Sequence, residues 1–266
     1  MSEIMSNAPV YYAVAQAQFN PVAAMAKYVE QIQDQLRRAG YSLFEPQQIM
    51  HLVVPEQGQG QPQKPEIEQT KAWLMTRSDR TSGFVLTPTG ITYHTTHYQT
   101  HNEFIPQLLR GLAAVHEAVS LEHISRLGLR YLDAVLPRAG ETIDQYLVGG
   151  LHGIDFNAPR QHAISETVFS TESGPLVSEG TLVVKVYQMT GPVGFPPDML
   201  PAGLAMDPRF AVNHVPEHSV IDTDHYVAGQ LPVEMGTLNE QLVSLHGAIK
   251  SVFSATTTDF ARGAWA

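Results

Sequence analysis

The chain of 266 residues contains no cysteine. Disulfides, thiolate zinc sites and thiol nucleophiles are therefore excluded, and this absence is typical of proteins of a reducing cytosol. Charged residues are also scarce, at 16% of the chain, and acidic residues outnumber basic ones by 26 to 16. Because the few basic residues are scattered, we expect neither a nucleic-acid backbone nor an anionic membrane surface as a partner.

Long apolar runs and common nucleotide-binding motifs are missing as well. No run approaches the roughly 18 residues of a membrane helix, and the N-terminal MSEIMSNAPV has an acidic residue where a signal peptide would be basic. We therefore expect a soluble cytoplasmic protein. The P-loop, dinucleotide and nucleophile-elbow motifs are absent from the sequence, so ATP, dinucleotide and α/β-hydrolase chemistry are disfavoured and no cofactor is expected.

What the sequence does contain is a pattern of hairpins and a few long helices. Short segments of alternating apolar and polar residues are separated by turn residues, and longer segments show helical spacing. In the first helix, Asn20 is expected to be the cap, Pro21 the first helical residue and Gly40 the terminator. The pattern predicts an α+β fold, with antiparallel sheets and a few long helices packed on one face.

The domain organisation is expected to be simple. Residues 1–266 form one domain, or two packed halves at about residues 8–137 and 138–266. The first half has the pattern of a split βαβ plait with extra strand, and the second repeats it less clearly. Residues 55–70 are rich in Gln, Pro and Gly, which predicts a flexible surface loop or a hairpin tip of variable length.

The segment RLGLRYLDAV, residues 126–135, places two arginines inside a predicted buried strand. Side chains two apart on a strand share a face, so Arg126 and Arg130 lie on one side, with Gly128 expected to leave open space between them. In VIDTDHY, Asp222 and Asp224 also share a face. The two pairs are matched for cross-strand ion pairs.

Three interpretations of these four charged residues remain open. They form an internal charge network that fixes strand register, or the arginines form a pocket for a carboxylate, a phosphate or a partner acid. The third is a catalytic carboxylate pair at Asp222 and Asp224, which could hold a divalent ion but lacks an evident further ligand.

Histidines are numerous, and the tightest group is HTTHYQTH. His94 and His97 point to opposite faces of a strand, whereas His97 and His101 could meet if a helix begins early. We expect solvated histidines at a strand end and no metal site. His246, on the last predicted helix, is expected to be a hydrogen-bonded core or edge histidine.

A proline-rich loop at residues 191–208 contains five prolines and several large apolar side chains. Such a loop must fold back onto the sheet or contact a partner or a second copy of the chain. The candidate partner residues in the loop are Phe195, Met199, Leu200 and Leu204.

Four segments resemble the markers of a sporadically distributed bacterial family of unknown function. They are ITYHTTHYQTHNEFIPQLLRGL, RLGLRYLDAV, SVIDTDHYV and LHGAIKSVFSATTTDFARGAW, and the resemblance spans about residues 11–265. The specific part is an R-x-G-L-R-Y-[LIV]-[ND] strand motif. The positions that match the family's markers are Arg126, Gly128, Arg130, Tyr131, Asp133, Asp222, Asp224, His246 and Phe253.

The resemblance implies a patchy distribution, which suggests a defence or toxin–antitoxin context, and it implies no reaction and no catalytic residues. We therefore expect a non-enzymatic binding or scaffold component that acts through protein–protein contacts, with a protein partner or self-association into an oligomer. The alternative is a small-anion-binding sensor or enzyme that uses the Arg/Asp pocket.

Overall fold

A computed structural model describes residue 5 and residues 7–53, 66–158, 160–199, 201–211 and 217–266. The strands are β1 (Val10–Phe19), β2 (Leu43–Val53), β3 (Glu66–Thr76), β4 (Ser82–Thr87), β5 (Gly90–Thr95), β6 (His123–Val135), β7 (His162–Glu172), β8 (Glu179–Met189) and β9 (His218–Pro232). The helices are α1 (Met25–Arg38), α2 (His101–Val119), α3 (Ile143–Tyr146), α4 (Met235–Thr256) and α5 (Asp259–Trp265), with a 3-10 turn at Gly149–Leu151.

The nine described strands form one sheet in the order β2-β3-β4-β5-β1-β6-β9-β8-β7. Every pairing is antiparallel, which confirms an α+β fold built on antiparallel sheet. Four antiparallel pairings separate β1 from β2, so these two strands run parallel, and the chain returns between them through α1. The second half of the chain adds β9, β8 and β7 as a meander, followed by α4.

The start of α1 differs from the sequence prediction. The helix begins at Met25, and its N-cap is Ala24 without a side-chain hydrogen bond, so Asn20 is not the cap and Pro21 is not the first helical residue. The reason is a tertiary contact, because the backbone N–H of Val22 donates to the carbonyl of Pro88 in the β4–β5 turn at 2.8 Å. This bond holds the segment before α1 in a non-helical path.

Two apolar clusters lie on opposite faces of the sheet. The larger contains Leu127, Leu129 and Tyr131 of β6 together with the buried residues of α1, α2 and α4. Alternate residues of β6 belong to the second core cluster, as expected for side chains that point to opposite faces of a strand. The buried members of this second core cluster are Tyr11, Tyr12, Leu132, Ala134, Val193, Phe210 and Val220.

The proline-rich loop covers the second core cluster. Val193 is buried in that cluster, and Phe195, Met199 and Leu204 pack against it partly buried. The loop thus folds back onto the sheet, as one of the two alternatives predicted. Leu200 lies outside the described residues.

The predicted flexible loop at 55–70 falls mostly on residues 54–65, which lie outside the described residues. Residues 66–70 belong to strand β3, so the predicted segment extends into the hairpin that β2 and β3 form. They pair with residues 49–53 of β2 in a continuous antiparallel register.

Candidate functional site

The two arginines and two aspartates of the sequence motifs meet on the sheet face that carries the second core cluster. Strands β6 and β9 are neighbours, and Arg130 stands directly opposite Asp224. The guanidinium of Arg130 reaches past it to Asp222, donating from Nε to Oδ1 and from Nη2 to Oδ2 at 2.7 Å each. The side chain of Asp222 is only 3% exposed, so this bidentate pair is buried on its acidic side.

A third carboxylate, which the sequence did not reveal, completes the surroundings of Arg130. Asp198 of the proline-rich loop accepts from Nη1 at 2.7 Å and from Nη2 at 3.2 Å. Burial alone would lower the pKa of Arg130, but the hydrogen bonds to Asp222 and Asp198 outweigh it and raise that pKa. The same contact lowers the pKa of Asp198. Arg130 therefore fastens the loop to the sheet and has no nitrogen left unengaged.

Arg126 makes looser contacts than Arg130. Its Nη1 donates to Oε1 of Gln16 at 3.0 Å, and its Nη2 donates to Oδ2 of Asp224 at 3.2 Å. The guanidinium lies 4.0 Å from the ring centroid of Tyr226, in cation–π contact. Burial raises the pKa of Asp224, and Arg126 and then Arg130 act against that rise.

Gly128 does not leave open space between the arginines, contrary to the sequence prediction. A Cβ at this position would lie 2.9 Å from Cβ of Tyr226, 3.2 Å from the His225 carbonyl oxygen and 3.4 Å from Nη1 of Arg126. The space that glycine provides is thus already occupied by Tyr226 and by the guanidinium that crosses it. Glycine is required here for close approach and not for a vacant pocket.

A cavity of about 480 Å³ opens beside the network. Its lining includes the two arginines and Lys185, against four carboxylates, those of Glu166, Asp198 and the two aspartates of β9. The acidic groups outnumber the basic ones, and both guanidinium groups are already paired. This balance favours the internal charge network over a pocket for anions, because an anion would have to displace a carboxylate.

The histidines do not gather at one point. His94 is buried and not solvated, contrary to prediction, and its Nδ1 lies 2.7 Å from the hydroxyl of Tyr12. Burial lowers the pKa of His94 to about 3. His97 is exposed, as predicted, with its Nε2 3.0 Å from Nε2 of Gln99. Within the described ranges, no three His, Asp or Glu side chains converge on a position that could hold a metal ion.

His101 and His246 form a contact that the sequence did not predict. Their rings stack with centroids 4.2 Å apart and an interplanar angle of 16°, which joins the start of α2 to the middle of α4. The two residues are far apart in the sequence, so no local pattern could have indicated the pair. The Tyr131 ring lies 6.0 Å from that of His246.

The stacked histidines line a cleft of about 650 Å³ on the sheet face that carries the larger apolar cluster, and we name it the α2–α4 cleft. Its polar lining residues are Tyr98, His101, Tyr131, Asp133, His246 and Lys250, among others. Asp133 is 4% exposed and belongs to the RLGLRYLDAV motif. The sequence pattern singled out Asp133 only as a match to the family motif and assigned it no chemistry.

The last feature is strand β7, the edge of the sheet beyond β8. It is 11 residues long, and most of its side chains are exposed on both faces. Its large apolar side chains include Ile164 (59% exposed), Val168 (58%) and Phe169 (42%). Exposed apolar side chains on an unpaired strand edge are typical of association surfaces.

These features define an α+β protein with one antiparallel sheet, a charge network on one face and an aromatic cleft on the other. No protein-family model matches the chain, and neither a curated protein nor a solved structure matches it. In the part of the chain that the structure describes, no helix has both the length and the apolar character needed to cross a membrane.

Proposed function

We propose that the protein is a non-enzymatic binding or scaffold component that acts through protein–protein contacts, and that its main contact is a second copy of the chain along β7. The observation that carries the proposal is the exposed edge of the sheet. The backbone groups of β7 that face away from β8 have no neighbouring strand among the described residues. They are free to pair with another strand.

The composition of β7 supports association. Natural edge strands are usually protected by lysine, proline or a bulge. The sequence HAISETVFSTE contains neither lysine, arginine nor proline, and its pairing with β8 is regular over all 11 positions. At the opposite edge of the sheet, β2 contains Pro46, which lacks a backbone N–H to donate. The two edges therefore differ, and β7 is the one suited to strand addition.

The sequence of β7 also fits a two-fold pairing with itself. In an antiparallel pair centred on Thr167, His162 lies opposite Glu172 of the second copy at both ends of the strand. The exposed Ile164 and Val168 lie on one face, opposite Ser170 and Glu166 of the second copy, and the apolar side chains of the two copies are diagonal neighbours across the axis. This complementarity favours a second copy over an unrelated partner.

The proline-rich loop is a weaker candidate for the contact. Phe195 already packs against Tyr11 and Tyr12, with ring centroids 5.5 Å and 5.2 Å away, and Met199 and Leu204 cover the same cluster. A partner contact through these residues and Leu200 stays a prediction. The small-anion alternative has no specific support, because both arginines are paired to carboxylates.

Some finer expectations belong to the same proposal. The parallel β1 and β2 linked through α1 support a plait-like first half, and the shared core of α1, α2 and α4 supports long helices on one face. A plait-like second half, action in the cytoplasm and a defence or toxin–antitoxin role stay predictions. We propose no nucleic-acid or membrane partner, since the chain has only 16 basic residues among 266.

The test is the molar mass in solution, measured by light scattering after size exclusion at micromolar concentration. We expect a dimer for the wild type and a monomer for the double variant Ile164→Asp, Val168→Asp, because an added carboxylate at Val168 lies opposite Glu166 of the second copy and repels it. The matched control is Phe44→Asp, which adds the same charge at a 40% exposed residue of the other edge strand and should remain dimeric. A monomeric wild type, or a double variant that remains dimeric, would contradict the proposal.

A further inference from the structure

The α2–α4 cleft contains a buried carboxyl group that has no hydrogen-bond or ion-pair partner among the described residues. Asp133 is 4% exposed and lines the cleft. No donor in the described part of the chain makes a hydrogen bond to its carboxyl oxygens. Asp222, equally buried, is held by Arg130 through two hydrogen bonds. Buried carboxyl groups are normally paired, and the lack of a protein donor in the described part of the chain leaves the Asp133 oxygens available to a ligand in the cleft.

Aromatic rings surround Asp133 in the cleft, together with Lys250 of α4. Tyr131 and Tyr98 lie in the same cleft with ring centroids 5.1 Å apart. Burial, and after it His101 and Lys250, lower the pKa of His246 to about 4. Burial and then Lys250 also lower the pKa of His101. Both imidazoles are therefore neutral near pH 7 and present ring faces and not positive charge.

The remaining wall of the cleft is apolar. Val243, Ile249 and Phe253 of α4 contribute to it. Lys250 is exposed, so its ammonium group can remain in water while the stem borders the cleft. The cleft thus offers one carboxyl group, several aromatic faces and apolar surface from α4.

We propose that the α2–α4 cleft binds a small organic ammonium cation, whose charged head pairs with Asp133 and whose apolar part packs on Val243, Ile249 and Phe253. A cation is attracted by a carboxylate and by the faces of nearby aromatic rings, and both attractions are stronger where water is excluded. An anion would have to approach the Asp133 carboxyl group in the same low-dielectric space. This site is separate from β7 and does not depend on the proposed self-association.

The proposal includes a coupling between binding and protonation. The groups that face Asp133 are Tyr131 on its own strand, Tyr98 before α2, His101 on α2, and His246 and Lys250 on α4. Asp222 on β9 acts through the sheet. Burial and then Asp222 raise the pKa of Asp133 to about 8. At neutral pH the carboxyl group holds a proton, and pairing with a cation releases it.

The experiment compares three probes of similar size and different charge: 2-phenylethylamine, 2-phenylethanol and 3-phenylpropanoate. Binding to the full chain is measured by titration calorimetry, in two buffers of different ionisation enthalpy so that released protons are counted. We expect the amine to bind with release of a proton, and the alcohol and the carboxylate not to bind. We expect the affinity of the amine to rise with pH by up to about tenfold per pH unit below the pKa of Asp133.

Two variants locate the site. Asp133→Asn keeps the shape of the side chain and should weaken amine binding by at least about tenfold. Val243→Trp places bulk at a residue 42% exposed and should block the cleft without disturbing the core, whereas Phe44→Trp on β2 should bind as the wild type does. Tighter binding of the carboxylate or alcohol, no binding of the amine, or unchanged binding by Asp133→Asn would overturn the proposal.

Discussion

Arg130 and Asp222 are joined by two hydrogen bonds of 2.7 Å although they do not stand opposite each other in the register of β6 and β9. The residue opposite Arg130 is Asp224, which is instead contacted by Arg126. The ion pairs therefore run diagonally across the two strands. A shift of one residue in the register would move both aspartates to the other face, so the network favours a single register.

The first prediction concerns the buried half of this network. Arg130→Met removes the cation and leaves the carboxylate of Asp222, 3% exposed, without its partner. We expect the free energy of unfolding to fall by about 3 to 5 kcal/mol. The measurement is a urea unfolding curve with wild type and variant under identical buffer conditions.

The matched control is Asp198→Asn, because Asp198 is the exposed carboxylate that binds the same guanidinium. Asp198 is 62% exposed, so the loss should be below about 1 kcal/mol. If Arg130→Met were no more destabilising than Asp198→Asn, the network would not be the structural element that we describe.

The second prediction concerns the glycine between the two arginines. Gly128→Ala places a Cβ 2.9 Å from Cβ of Tyr226 and 3.2 Å from the His225 carbonyl oxygen, neither of which moves without the strand. We expect a loss of about 1 to 3 kcal/mol from overpacking. Gly236→Ala in α4 meets no atom within 4 Å and should be neutral or stabilising by up to about 1 kcal/mol. Chemical denaturation of both variants checks the contrast.

The third prediction concerns the proline-rich loop. Phe195→Ala removes a ring that packs against Tyr11 and Tyr12, so we expect the free energy of unfolding to fall by about 1.5 to 3 kcal/mol. Phe156→Ala, at a residue 77% exposed, serves as the control and should change stability by less than about 0.5 kcal/mol. Equal stability of the two variants would mean that the loop does not close the second core cluster.

The fourth prediction concerns pH. Burial and then Asp222 raise the pKa of Asp133 to about 8, whereas the same residue in the unfolded chain releases its proton near pH 4. The folded state holds the extra proton between these values, so this group makes the free energy of unfolding fall as pH rises through that window. The asparagine of Asp133→Asn cannot titrate, so this variant should not show that fall in the free energy of unfolding.

The measurable quantity is the stability of Asp133→Asn minus that of the wild type, from urea unfolding between about pH 5 and about pH 8. We expect this difference to grow with pH by at most about 1.4 kcal/mol per unit, and other titrating groups cancel in the subtraction. A difference that is constant over this range would show that Asp133 is already ionised in the folded protein.

Much of the secondary structure was accessible from sequence because it depends on local periodicity. The alternation in VYYAVAQAQF predicts β1 at Val10–Phe19, and the structure has the strand at those residues. The start of α1 was not accessible, since it depends on a hydrogen bond from Val22 to Pro88, which no local pattern contains. Capping rules identified suitable residues at Asn20 and Pro21, and a distant turn overrode them.

The candidate sites divide in the same way. Because alternate residues of a strand share a face, the sequence placed Arg126 and Arg130 on one face of their strand and Asp222 and Asp224 on one face of theirs. The structure brings the two pairs together on neighbouring strands. The sequence could not reveal that Asp198 is the third carboxylate on Arg130, because a loop without periodicity has no predictable path. It also gave Asp133 no role, since the fate of a buried carboxyl group depends on which donors the fold brings near.

The sequence by itself determined what is periodic and compositional: antiparallel strands, a few long helices, the shared faces of the charged residues and the scarcity of basic charge. Only the tertiary structure decided which surfaces remain available. It used the apolar loop to cover one face of the sheet, left β7 as an exposed edge and enclosed Asp133 among aromatic rings. The reason is that burial and pairing depend on contacts between residues distant in the chain, and local patterns do not specify those contacts.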